Sequence, residues 1–286
     1  MHHLEPESCI PLDLSYPVES GPDPSSASPP SGSPLAPSPI QSVPISCIVN
    51  ERDLTGSVDE YLRDCASGEI VARATRFAAR RQDVHLMRVA VIGVGNVGSA
   101  LASALTDAGH DVVVAASNAE KAEQAAAGLE CEPAASPSDA ADGADAVILA
   151  IPVTAVEEVA GEIRQQVPGK PVVDVTNSQA VLETGVSNAE QIQGLLPEAH
   201  VVKAFNTVFA SNLGHPQGGE RLDGFLAGDD ANAKAAVATI VRDAGLEPLD
   251  VGDLKMARAL EGMAWANISL NMANGWPWKS AWKLER

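Results

Sequence analysis

Cysteine, aromatic residues and basic side chains are all scarce in this chain, and each scarcity closes off a class of protein. The four cysteines, Cys9, Cys47, Cys65 and Cys131, follow neither a metal-binding pattern nor a disulfide framework. A reduced compartment and a site without metal are therefore expected. Lys and Arg number 19 against 38 Asp and Glu, for a net charge of −19. Within residues 87–286 the balance is 13 basic to 26 acidic. A field of that sign repels nucleic acid and anionic membranes. With aromatics at 3% and few lysines, the same excess points to an acidic, halophilic protein whose carboxylate surface stays hydrated while salt screens its self-repulsion. Apolar runs of membrane-spanning length are missing, as is an N-terminal basic region followed by an apolar core. A cytoplasmic protein with no membrane partner is expected.

What is abundant changes along the chain. Residues 1–50 are crowded with Pro and Ser, as in Pro29-Pro30-Ser31-Gly32-Ser33-Pro34, and lack an apolar stripe that could offset the entropy of ordering. Residues 1–86 read as a largely disordered, Pro/Ser-rich extension with a weakly helical stretch at 58–81. Because Met87 opens directly into an apolar run, it reads as a natural start, and the upstream residues as an extension or a misassigned reading frame. Residues 87–286 form the expected folded domain.

In that domain short apolar runs alternate with Ala-rich amphipathic segments, the pattern of an α/β protein. Strands are predicted at 88–92, 111–115, 130–132, 146–151, 172–175, 201–204, 224–227 and 247–251. Helices are predicted at 97–108, closed by Gly109, at 119–128, from Ser136-Pro137, at 156–166, at 231–244 and at 254–273. The run at 146–151 is apolar throughout, as in a strand buried on both faces of a parallel sheet. The expected fold is a Rossmann-type, doubly wound, mostly parallel sheet with a C-terminal helical segment. Along that last helix Met256, Leu260, Ala264 and Ile268, with Met263 beside them, make an apolar face suited to core packing or a homodimer contact. Glu261, Asn267 and Asn271 read as diluting its hydrophobicity.

Between the first strand and first helix stands Gly93-Val94-Gly95-Asn96-Val97-Gly98. In this context Gly93 takes the tight turn, Gly95 lets the backbone approach a pyrophosphate, and Gly98 lets helix and strand pack closely. The amides of Asn96 and Val97 complete the expected phosphate cradle at the helix N-terminus. No Gly-Lys-Ser or Gly-Lys-Thr follows, which excludes a P-loop. The second strand ends in Ala115-Ala116-Ser117-Asn118, with Lys121 one turn on, and carries no carboxylate to bind ribose hydroxyls. A hydroxyl, an amide and an ammonium there suit a 2′-phosphate, so NADP(H) is the expected cofactor. Three further strand ends point into the same crevice and contribute Ile151, Pro152 and Val153, then Asn177, then Asn206. Pro152 and Val153 would shape a nicotinamide pocket, while Asn177 and Asn206 would bond its amide or a small-molecule redox partner. His215, between Gly214 and Pro216, reads as a surface residue, and His200 as the residue leading into a strand. No Ser/His/Asp set or carboxylate pair emerges, and no catalytic residue is assigned. Hydride transfer needs donor and acceptor carbons held together in a dry crevice, and the cofactor carries the chemistry.

The segments Arg88-Val89-Ala90-Val91-Ile92-Gly93, Val202-Lys203-Ala204-Phe205-Asn206-Thr207, Leu249-Asp250-Val251-Gly252 and Ala281-Trp282-Lys283-Leu284 resemble the NADP oxidoreductases that use the deazaflavin coenzyme F420. The resemblance spans residues 87–286. It implies reversible hydride exchange between NADPH and the deazaflavin, with Ser117, Asn118 and Lys121 at the 2′-phosphate. Asn118 stands where that family commonly has Arg, and Asn206 where its deazaflavin users tend to carry His. The 203–207 segment is more similar to a branch of NADPH reductases that includes the cytosolic domain of membrane metalloreductases, which pass electrons to flavin. A flavin or a small carbonyl or imine compound is the alternative acceptor. A redox sensor that binds NADP(H) without turnover is the non-enzymatic alternative.

Overall fold

The computed structural model describes residues 86–214 and 221–285. The expectations for residues 1–85 and for His215 lie outside the described residues. Among the described residues eight strands form one sheet in the order β3-β2-β1-β4-β5-β6-β7-β8. They are β1 (Arg88–Ile92), β2 (Asp111–Ala115), β3 (Glu132–Pro133), β4 (Ala146–Leu149), β5 (Pro171–Asp174), β6 (His200–Ala204), β7 (Asp223–Gly228) and β8 (Glu247–Asp250). The helices are α1 (Asn96–Ala108), α2 (Ala119–Leu129), α3 (Pro137–Ala141), α4 (Val156–Ile163), α5 (Val181–Thr184), α6 (Asn188–Leu195), α7 (Ala231–Asp243) and α8 (Ala257–Asn274). Strands β3 to β6 in that order are parallel neighbours, whereas β7 runs antiparallel to β6 and parallel to β8. This is the doubly wound, mostly parallel Rossmann-type sheet, closed by a C-terminal helix.

Strand alternation divides the core into two layers. Val89, Val91, Val112 and Val114 pack with Leu101 and Leu105 of α1 and Val237, Ile240 and Val241 of α7. Their neighbours Ala90, Ile92, Val113 and Ala115 face the other way, onto Ala140 of α3, Val159 and Ile163 of α4 and Ile192 of α6. Because β1 lies between β2 and β4, its two neighbours are reached by crossovers on opposite faces. The crevice so produced at its carboxyl end is where ligands bind in open α/β sheets.

Two local readings are corrected, and a segment with no predicted element holds two helices. The strand expected at 130–132 starts at Glu132, because α2 runs to Leu129 and Glu130 caps it in a left-handed conformation, φ 54°. The strand expected at 146–151 ends at Leu149, and the chain turns at Ala150 beside Gly93. Residues 179–199 contain α5 and α6, the latter begun by a capping box in which the Ser187 hydroxyl accepts from Glu190 N and the Glu190 carboxylate accepts from Ser187 N. Ser187 followed by Glu190 was the available signal for it.

The C-terminal helix departs further from its expected apolar face. Leu260 and Ala264 are buried, but Met256 is 40% exposed, and the polar residues Glu261, Asn267 and Asn271 point inward. They do so because each has a partner there: Glu261 meets Lys203, and the two asparagines bond Ser280. No helix among the described residues is long and apolar enough to cross a membrane.

A two-pronged ion pair ties α8 to α6. Arg258 donates to both carboxylate oxygens of Glu190 at 2.8 and 2.6 Å. This pairing, together with the Ser187 amide and hydroxyl and against the opposing effect of partial burial, holds the Glu190 carboxyl down at about 2. A depressed carboxylate stabilises the fold above its unfolded value and loses that contribution as pH falls through the folded one. The difference in thermal midpoint between the native chain and Arg258→Ala is therefore expected to be largest at neutral pH. It should shrink as pH falls from 4.5 toward about 2. Thermal unfolding followed across that range checks this; a difference that widens on acidification would contradict it.

Candidate functional site

The glycine loop is built by close approaches that admit no side chain. Gly93 has φ +106°, and its amide donates to the Ala115 carbonyl at 2.8 Å. A Cβ on Gly93 would overlap the Ala150 carbonyl oxygen, and one on Gly98 would overlap the carbonyl oxygen of Gly93 itself. These two glycines let β1, the turn and α1 sit against one another. Gly95 differs, since nothing lies within 4 Å of the place its Cβ would occupy. It is the N-cap of α1 and supplies no side-chain cap to the helix's first amides, those of Asn96 and Val97 among them. Open space in front of uncapped amides at a positive helix end fits a pyrophosphate.

At the end of β2 the three expected residues form one exposed group. Lys121 Nζ donates to Ser117 Oγ at 3.1 Å, and Asn118 Oδ1 caps α2 by accepting from Lys121 N at 2.9 Å. The cap commits the oxygen of Asn118 and leaves its Nδ2 among the groups facing solvent with the Lys121 ammonium. A cation, a hydroxyl and an amide beside a helix N-terminus suit a phosphate monoester.

Asn177 and Asn206 bond each other in both directions. Asn206 Nδ2 donates to Asn177 Oδ1 at 3.0 Å, and Asn177 Nδ2 donates to the Asn206 carbonyl at 3.2 Å. Asn206 Nδ2 also donates to the Leu260 carbonyl of α8 at 2.9 Å, while its own Oδ1 is buried without a partner. The pair borders a cavity of about 250 Å³ whose other walls include Val97, Phe205, Thr207 and Ile268. The structure thus brings Val97, Asn177 and Asn206 together. Ile151, Pro152 and Val153 stand apart from this cavity, at the turn after β4, where Ile151 Cγ2 lies 3.1 Å from the place a Gly93 Cβ would take.

Behind the asparagine pair is a cluster that was not among the expected site residues. Lys203, Asp174 and Glu261 have fully buried side chains. Lys203 Nζ donates to Asp174 Oδ2 at 2.8 Å, to Glu261 Oε1 at 2.9 Å and to the Thr176 carbonyl. Asp174 Oδ1 accepts from Thr176 N, and Glu261 Oε1 also accepts from Asn188 N. Glu261 Oε2 is buried with no partner. Burial pushes the Glu261 carboxyl above the usual range against the pull of Lys203, and the Asp174 charge adds to the push. A charged residue inside the run Val201-Val202-Lys203-Ala204 was the signal that a buried partner exists. At the end of β6 the next residue, Phe205, is buried in a left-handed conformation, φ 63°, which turns Asn206 toward Asn177.

Comparison with known proteins bears on family and fold. The family described as NADP oxidoreductase, coenzyme F420-dependent, matches residues 88–178, from β1 past β5 to Ser178. The F420-dependent NADP reductase of Methanothermobacter thermautotrophicus is 31% identical over 214 residues, 67% of this chain and 92% of that protein. The chain belongs to this family. An Arthrobacter sp. FB24 protein assigned as an F420-dependent NADP-reductase has a solved structure that superposes with a TM-score of 0.63. At 31% identity it covers 70% of this chain and all of the other. Metalloreductase STEAP3 of Rattus norvegicus is also 31% identical, over 62% of this chain, yet the match spans only 36% of the rat protein. Membership of the F420-dependent NADP oxidoreductase family places the chain among NADP-dependent oxidoreductases. The residues that the family model matches include the glycine loop, the α2 N-terminus and Asn177.

Proposed function

We propose that this chain transfers a hydride between NADP(H) and coenzyme F420. The observation that carries the reading is the double role of Val97. It lies in the first turn of α1, at the candidate pyrophosphate site, and it also walls the cavity bordered by Asn177 and Asn206. A dinucleotide reaching from Lys121 across Gly95 would present its nicotinamide at that cavity, where a second planar ring could meet it. When both are bound, the reduced nicotinamide supplies the hydride and the deazaflavin takes it together with one proton. The residues' part is positional: amides of α1 hold phosphate, Ser117, Asn118 and Lys121 hold the 2′-phosphate, and apolar walls exclude water. Residues 87–286 would form this oxidoreductase domain and residues 1–86 an extension to it, in a cytoplasm rich in salt. A homodimer contact would use Leu270 and Met272, the exposed apolar residues of α8.

Loss of the deazaflavin's visible absorbance on mixing with NADPH in high salt tests the reading. NADPH is expected to serve with a KM at least about tenfold below that of NADH, and Lys121→Ala to erase most of that preference through loss of one charge-assisted bond. Equal use of NADH would overturn the cofactor assignment. Oxidation of NADPH by flavin but not by F420 would support the alternative acceptor, which the likeness to a metalloreductase favours. NADP(H) binding with no acceptor reduced would identify a sensor.

A further inference from the structure

We propose that Trp278 is the stacking wall of the acceptor site, contacting a planar tricyclic ring of the deazaflavin or flavin class. This rests on the hydride-transfer reading above and adds to it a residue from the segment after α8. Trp278 lines the cavity with Phe209 and Ile268, and its ring meets Phe209 edge-on, with centroids 5.4 Å apart and planes at 83°. The indole remains 45% exposed, so folding leaves much of its face uncovered. Trp282, four residues further on, packs instead against the buried cluster of Phe225, Ala227 and Leu260.

The backbone around Trp278 is fixed more firmly than an exposed side chain requires. Trp278 is held at φ 56°, a left-handed conformation that bulky side chains rarely adopt. Such strain persists only where the surroundings over-determine it. Here Ser211 Oγ donates to the Trp278 carbonyl at 2.7 Å, and Asn212 Nδ2 donates to the Lys279 carbonyl at 3.1 Å. On the other side Ser280 Oγ donates to Asn267 Oδ1 at 2.6 Å, while Asn267 Nδ2 donates to the Ser280 carbonyl at 3.2 Å. Residues 278–280 are thereby pinned both to the turn that carries Phe209 and to α8. An exposed indole on a fixed, strained backbone at the mouth of a cavity is arranged to stack. The opposite requirement, an acceptor for an N–H edge, is met by the unpaired Oδ1 of buried Asn206. A tricycle with an apolar face and a pyrimidinedione edge satisfies both, and deazaflavins and flavins share that chemistry.

The test is a tryptophan-fluorescence titration of the full chain with F420 and, separately, with riboflavin, at saturating NADP⁺. Loss of one aromatic stacking partner should weaken binding roughly ten- to a hundredfold. Trp278→Leu is expected to raise the Kd of the bound ring at least tenfold, and Trp278→Phe to restore it to within about threefold. Trp276→Leu should leave it unchanged, and NADPH affinity should stay level in all three, which also shows that they fold. Riboflavin binding without F420 binding would uphold the role of Trp278 and overturn the deazaflavin assignment. F420 turnover with an unchanged Kd in Trp278→Leu would do the reverse. Quenching by neither ring in the native chain would overturn the inference.

Discussion

Lys203→Met is expected to destabilise the protein by about 3–5 kcal/mol, the cost of stripping one partner from a buried ion cluster. For a folded unit of this size that corresponds to a fall in thermal midpoint on the order of 10 °C, read by circular dichroism at neutral pH. The reason lies in what the ammonium leaves behind. Asp174 and Glu261 are both fully buried, and without Lys203 each loses its cation and a hydrogen-bond donor. Neutralising all three, as Lys203→Met with Asp174→Asn and Glu261→Gln, should recover much of the loss, because the penalty comes from unpaired charge rather than from missing volume. A Lys203→Met protein within about 1 kcal/mol of native would show that the cluster carries no such stress.

Glu261 gives the cluster a pH dependence opposite in sign to that of Glu190. Its folded value is raised, so its contribution is fully present below the unfolded carboxylate range and declines as pH rises through the folded value. Glu261→Gln keeps an oxygen for Lys203 and Asn188 without a titrating proton. Its thermal midpoint should gain on the native chain as pH rises.

How much of this was legible depended on the range of the interaction. The ends of β1 and β2, the left-handed cap at Gly109 and the glycine loop all depend on residues within a few positions of one another, and the sequence spells them out. The antiparallel reversal at β7 has no local signature, because β6 and β7 read alike whichever way they pair. The partners of Lys203 lie 29 and 58 positions away, so its charge announced a need without naming what met it. Asn267 and Asn271 misled for the same reason: polarity on a helix implies solvent unless a distant group, here Ser280, is known to approach. The meeting of Asn177 and Asn206 follows from the fold, because strand ends in an open sheet converge. That they bond each other has no local signature, since the two lie 29 positions apart.

Gly95→Ala and Gly98→Ala should separate the architecture of the loop from its binding function. At Gly98 a Cβ would collide with the Gly93 carbonyl and stand 3.1 Å from Ala150 Cβ, and backbone cannot yield cheaply. That substitution should lower stability by about 1–3 kcal/mol and abolish measurable NADPH binding together with it. At Gly95 the backbone has φ −71°, which alanine adopts freely, and the added methyl meets no atom of the protein. Stability should therefore stay within about 0.5 kcal/mol of native. The methyl would nevertheless occupy the approach to the uncapped amides of α1, so NADPH affinity should fall at least about tenfold, measured by calorimetric titration. The pair of outcomes is diagnostic. A stable Gly95→Ala chain that bound NADPH normally would move the pyrophosphate away from this loop, and with it the link between Val97 and the cavity on which the proposed reaction depends.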